Sequence, residues 1–130
     1  MNLNEAKQLL KKYGYRLVKE NTPLRKAEYP AGIADISCEY EGMSDYEEGE
    51  MPNPYVIVSC SDRVTAMKIQ KALISGANAR SALNAVGAED ADMIDRLTFE
   101  IIFAATDYCD SDMRMNYEKD VCNLLKQILE

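Results

Sequence analysis

The stretch Ile33-Ala34-Asp35-Ile36-Ser37-Cys38-Glu39-Tyr40-Glu41 decides the fold class of this chain. Apolar and polar residues alternate along it, which predicts a β-strand with one face on a core and the other in water. The next strong signal, Tyr55-Val56-Ile57-Val58-Ser59-Cys60, is rich in β-branched residues and predicts a more deeply buried strand. We expect the two strands to pair as a hairpin. The core-facing residues expected in the first strand are Ala34, Ile36, Cys38 and Tyr40.

A helix and a third strand are expected before this hairpin. Apolar residues near the start recur at the spacing of one helical face, and Asn2 and Gly14 stand where an N-cap and a C-terminal glycine are wanted. Residues 15–20 then alternate with a period of two, which is typical of a short strand. The apolar stripe of the predicted N-terminal helix consists of Leu3, Ala6, Leu10 and Tyr13.

The second half of the chain is predicted to be helical. Helices are expected at about residues 62–75, 79–86, 89–108 and 117–129, with Asp62 as the first N-cap and glycines as terminators. Glu89, Asp90 and Asp92 would then occupy a first helical turn, where negative charge is stabilising. Asp110 or Asp112 is expected to introduce the last helix.

Strands followed by helices predict an α+β fold. We expect a small antiparallel sheet of about three strands, covered on one face by three to four helices. The length of 130 residues fits a single domain, residues 1–130, and the apolar fraction of 47% is that of a folded protein.

Charge is laid out in blocks along the chain. Residues 27–62 carry nine acidic side chains and no basic one, and residues 87–113 carry eight acidic side chains against Arg96 alone. Residues 63–86 carry four basic side chains and no acidic one, and residues 1–26 are also basic. The net charge is −7. Such a balance opposes direct binding of nucleic acid and favours a cationic partner.

The predicted connection of the hairpin, residues 42–53, is the first candidate contact surface. It is long for a hairpin loop, and such loops are often functional, although a solvated loop is the simpler interpretation. Tyrosine and methionine interleaved with acids supply adaptable contact area. The candidate partner-binding residues are Glu39, Glu41, Met43, Asp45, Tyr46, Glu47, Glu48 and Glu50.

Catalytic and cofactor motifs are absent from the sequence. Histidine does not occur, the six glycines form no phosphate-binding loop, and no pair of acids has a spacing that defines a reaction. Asp107, Asp110 and Asp112 lack the glycine and the spacing of a calcium loop. We therefore predict no enzymatic activity, no cofactor and no metal.

Cysteine usage and hydropathy predict the cellular compartment of the protein. The four cysteines show no CxxC pair, which predicts buried, reduced thiols rather than a disulfide framework or a zinc site. Charged residues interrupt the N-terminus, and no apolar run approaches the length of a membrane span. A cytoplasmic protein without a membrane partner is expected. The cysteines are Cys38, Cys60, Cys109 and Cys122.

The opening Met1-Asn2-Leu3-Asn4-Glu5-Ala6-Lys7-Gln8-Leu9-Leu10, followed by Tyr13-Gly14-Tyr15-Arg16-Leu17, resembles the openings of many short phage and mobile-element proteins. The acidic α-β-β-β-α order is also similar to that of some phage-encoded anti-CRISPR inhibitors, which occupy the nucleic-acid-binding surface of a nuclease. This resemblance implies that Asp45, Glu47, Glu48 and Glu50 stand in for phosphates in a basic groove.

The sequence thus predicts a small acidic binding protein that docks on a basic protein surface, such as that of a nucleic-acid-binding host protein. Three alternatives stay open. The chain could be a homo-oligomeric structural or accessory protein of phage or bacterial origin, a toxin-neutralising immunity-type protein, or a carboxylate enzyme.

Overall fold

The computed structural model describes residues 23–41 and 51–130. Its α+β class is confirmed, with a four-stranded antiparallel sheet and three α-helices. The N-terminal helix and the strand predicted at residues 15–20 lie outside the described residues. The elements are a 3-10 turn (Lys26–Glu28), β1 (Ile33–Glu39), β2 (Tyr55–Cys60), α1 (Arg63–Gln70), a π-helical turn (Lys71–Ser75), α2 (Ala79–Ala85), β3 (Ala88–Met93), β4 (Thr98–Phe103) and α3 (Ser111–Leu129).

The strand order in the sheet is β1-β2-β4-β3. The predicted hairpin of the first two strands is confirmed, with Cys38 opposite Val56. β2 pairs with β4, which is distant in sequence, and places Val58 opposite Phe99. β3 and β4 form a second hairpin. The two sequence-local hairpins therefore lie side by side, joined by their inner strands.

The helix predicted over residues 89–108 is wrong, because this segment forms β3, a turn and β4. Phe99, Ile101 and Phe103 alternate with polar or half-buried residues and fill the core face of β4. The side chain of Asp95 accepts a hydrogen bond of 2.9 Å from the N–H of Leu97, which turns the chain between the strands. The prediction of about three strands is therefore too low, since the described residues alone form four.

The other helical predictions hold with shifted ends. Asp62 caps α1 by accepting a hydrogen bond from the N–H of Thr65, at 2.8 Å. The last helix begins at Ser111 rather than Tyr117, because Asp110 is its N-cap and accepts a bond of 2.8 Å from the N–H of Met113.

One face assignment in β1 needs correction. Ala34 is exposed, whereas Ile33, Ile36 and Cys38 are buried. The register of β1 against β2 shifts between Ile33 and Asp35, as in a β-bulge. The extra residue moves Ala34 off the core face while the alternation resumes at Ile36.

A single hydrophobic core lies between the sheet and the helices. Val56, Val58 and Ile101 have no exposed area, and Phe99 is 1% exposed. Burying each such side chain contributes about 1.5–3 kcal/mol to folding. The helices contribute Ala66, Ile69, Leu73, Leu83, Val121, Leu124 and Leu125 to this core. Within the described residues, no helix combines the length and the apolar character needed to cross a membrane.

The outer edge of β1 is covered by α3. Glu118 accepts a hydrogen bond of 2.8 Å from the N–H of Cys38, and Arg114 donates one of 3.1 Å to the carbonyl of Tyr40. These side chains satisfy backbone groups that an edge strand otherwise offers to another strand. The sheet is therefore protected at this edge against pairing with a second chain.

The strand assignment of residues 98–103 can be tested with two isoleucines. We expect Ile101→Ala to lower the free energy of unfolding by about 2–5 kcal/mol, because it opens a cavity in the core. Ile94, 52% exposed in the turn, is the matched control, and Ile94→Ala should change stability by less than about 0.5 kcal/mol. Urea unfolding of both variants checks this, and equal losses would contradict the sheet described above.

Candidate docking face

The sheet has a second face that carries no core residue. Its side chains are half-buried or exposed, whereas all the buried strand residues point to the helices. We call this surface the open sheet face. Cross-strand pairing arranges it in three rows, namely Glu39-Tyr55-Ile102-Asp90, Ser37-Ile57-Glu100-Asp92 and Asp35-Ser59-Thr98.

Both acidic blocks of the sequence meet on this face. The four strands together contain six acidic residues and no basic one. β1 brings its acids from the first block, and β3 and β4 bring theirs from the second. None of the six forms an ion pair with a lysine or arginine of the described residues. The acids of the strands are Asp35, Glu39, Glu89, Asp90, Asp92 and Glu100.

Two acids of the open sheet face stand directly opposite each other. Asp92 of β3 pairs with Glu100 of β4 in the antiparallel register. Like charges in this position destabilise a sheet, whereas opposite charges would stabilise it. This pair therefore adds negative potential to the face at a cost in sheet stability.

The centre of the face is apolar. Tyr55 lies beside Ile102 in the first row, and Ile57 occupies the same strand in the second row. All three side chains are half-buried. The first row ends at Glu39 and Asp90, and the second row ends at Ser37 and Asp92. Protein interfaces commonly combine an apolar centre with a polar rim. The open sheet face has a composition of this kind, and the charged residues of its rim are all acidic.

The pKa of Tyr55 depends on the electrostatic potential of the open sheet face. Burial raises the pKa of its phenol, and the nearby carboxylates of Glu41, Glu39 and Glu100 raise it further. A negative charge on the phenolate is disfavoured where carboxylates are close. The acids at the end of β1 and in β4 therefore both act on the phenol of Tyr55.

The predicted contact residues divide into two groups. Glu39 lies on the open sheet face and is exposed, and Glu41 is exposed just beyond the end of β1. Pro52 is fully buried, and the side chain of Asn53 donates a hydrogen bond of 2.7 Å to the carbonyl of Phe103. The others lie outside the described residues, namely Met43, Asp45, Tyr46, Glu47, Glu48 and Glu50.

The interpretation of the second acidic block as helix capping is wrong for Glu89, Asp90 and Asp92. All three are exposed residues of β3 rather than first-turn residues of a helix. A signal for this was present, since Thr98 to Phe103 is rich in β-branched and aromatic residues and begins with an alternation of polar and apolar residues. It was obscured because apolar residues in the same region also recur at helical spacing.

Burial also affects titratable groups outside the open sheet face. Burial raises the pKa of the Cys38 thiol to about 12, and burial also raises the pKa of Glu118. A protonated, buried thiol is a poor nucleophile. The four cysteines are unpaired, and Cys38, Cys60 and Cys122 are buried as expected.

The three aspartates compared with a calcium loop do not gather around a cation. Asp110 caps α3, and Asp112 lies in its first turn. Across residues 23–41 and 51–130, no group of three or more carboxylates and thiols could hold a metal ion.

Comparisons with known proteins identified no similar protein. A scan against protein-family models, a search of curated proteins and a search of solved structures each found no match.

The potential of the face can be measured at Tyr55. We expect Glu100→Gln to lower the pKa of Tyr55, because a neutral amide no longer disfavours the phenolate. Asp107→Asn is the matched control, since Asp107 raises the pKa of Tyr40 and does not act on Tyr55. NMR titration of the tyrosine ring carbons follows both residues, and an unchanged Tyr55 pKa in Glu100→Gln would refute the described electrostatics.

Proposed function

We propose that this protein is a small acidic binding protein that docks its open sheet face on a basic surface of a protein partner. The observation that carries the proposal is the convergence of two separate acidic blocks on one sheet face without a basic residue. Binding without catalysis is the whole of the proposed activity.

The face combines the two contributions that a specific complex requires. Acids on its rim would steer a cationic partner and speed the encounter. Tyr55, Ile57 and Ile102 would supply the desolvated centre, where most binding energy is usually concentrated. The strands are held by a well-packed core, so little conformational entropy is lost on binding.

The partner class that we propose is a nucleic-acid-binding protein. Such proteins present lysines and arginines in a groove that neutralises phosphates, and carboxylates can occupy the same positions. The acids of residues 42–50 would extend the anionic surface beyond the end of β1, since this segment joins Glu41 to Met51 in sequence. An immunity-type protein that neutralises a basic toxin would use the same chemistry.

Affinity capture from a bacterial lysate tests the proposal. The baits are the native protein and the variant Asp92→Lys, Glu100→Lys, which reverses the charge of this opposed pair, removes most of the negative charge of the face and keeps like charges opposite each other. We expect the native bait to retain a basic protein that elutes as salt rises, and the variant to lose it. A third bait with Glu47→Lys, Glu48→Lys and Glu50→Lys measures the contribution of the acidic segment.

The matched control is Asp107→Lys, Glu130→Lys, which changes the net charge equally at two exposed residues outside the strands. This bait should recover the partner as the native protein does. Equal recovery by the face variant would contradict docking through the sheet. Added double-stranded DNA should release the partner, and retention in its presence would exclude a nucleic-acid-binding groove as the contact.

A further inference from the structure

A second candidate surface lies on the helical layer, away from the open sheet face. Val64 is 65% exposed and Met67 is 56% exposed on the outer side of α1. With Lys68 and Lys71 they follow the spacing of one helical face, opposite the side that buries Ala66 and Ile69. This helix therefore has an outward stripe of apolar and basic side chains in addition to its core stripe.

The outward stripe borders a groove. One part has a cavity volume of about 760 Å³ and is lined by Val64, Met67, Lys68 and Lys71 together with the end of the π-helical turn. An adjoining part of about 480 Å³ shares Lys68 and Lys71 and reaches Ile128 of α3. Pockets of 300–1,000 Å³ are of the size that binds ligands or anchoring side chains.

The backbone at this groove is specialised. Residues Lys71–Ser75 form a π-helical turn, a rare element that is frequent at functional sites. The carbonyl of Lys71 lies where a Cβ at position 76 would stand, so Gly76 is the residue that fits there. The π-helical turn thus requires a glycine next to the two lysines.

The charge of the groove is opposite to that of the protein as a whole. Residues 63–86 contain four basic residues and no acidic one, in a chain of net charge −7. Two of the four, Lys68 and Lys71, line both parts of the groove next to the exposed apolar side chains. A ligand that complements this surface is both anionic and apolar.

We propose that this groove binds an acidic amphipathic peptide segment of a second protein. Apolar side chains of the segment would pack on Val64 and Met67, and its carboxylates would pair with Lys68 and Lys71. Helical peptides that bind in grooves place their own apolar anchors at positions i, i+3, i+4 and i+7. Because the open sheet face selects a basic partner, the groove would recruit a different one.

The test uses a fluorescein-labelled synthetic peptide of about 15 residues, with leucines at helical spacing and glutamates between them. We expect saturable binding by fluorescence polarisation and NMR shift changes centred on Val64 and Met67. Lys68→Glu, Lys71→Glu should weaken binding by about tenfold or more, and Val64→Ser, Met67→Ser should do the same without a change of charge.

Three controls make the test specific. Arg80→Glu removes a basic residue of the same block that does not line the groove and should change affinity by less than about twofold. Asp92→Lys, Glu100→Lys should leave peptide binding intact, which separates this proposal from docking through the sheet. A peptide with the same composition in scrambled order should bind more weakly.

Several results would overturn the proposal. They are the absence of saturable binding, shift changes that map outside the groove, and full affinity in the folded Val64→Ser, Met67→Ser variant. Displacement of the peptide from Val64 and Met67 by a single-stranded DNA oligonucleotide would assign the groove to nucleic acid instead. Thermal unfolding confirms that each variant is folded before its affinity is compared.

Discussion

The antiparallel pairing of β2 with β4 is the constraint on which the rest of the structure depends. Val58 stands opposite Phe99, and both are almost completely buried beneath the helices. Each strand brings its own hairpin partner, so β1 and β3 become the two edges of one sheet. Residues far apart in sequence thereby share a surface, and acids from two separate blocks of the sequence lie on one face of the sheet.

This pairing also divides the charge of the molecule between two layers. The charged residues of the strands are all acidic, and those of α1, the π-helical turn and α2 are all basic. The remaining helix, α3, carries both signs. One face of the sheet must be apolar to form the core, so the acids are confined to the other face. The described residues thus form two surfaces of opposite sign.

Part of this arrangement could be predicted from sequence, and the missing part has a physical cause. The first hairpin follows from simple alternation, and the capping of α1 by Asp62 follows from residue type. The hairpin of β3 and β4 was not predicted, because Ile94, Leu97 and Ile101 also recur at helical spacing. A local pattern cannot decide between the period of a helix and the period of a strand. Pairing of β2 with β4 decides it, and such a long-range contact leaves no local signal. The sequence alone therefore could not predict that acids of both blocks share one face of the sheet, although each acidic block was evident separately.

The most direct measurement of the central claim requires no partner. Paramagnetic relaxation of methyl and amide signals can be compared for small cationic and anionic nitroxide probes, which sample the surface potential. We expect the cationic probe to be enriched at Ile57 and Ile102 and the anionic probe to be enriched at Val64 and Met67. Equal effects of the two probes on both layers would show that charge is not segregated in this way, and the proposed docking face would be contradicted.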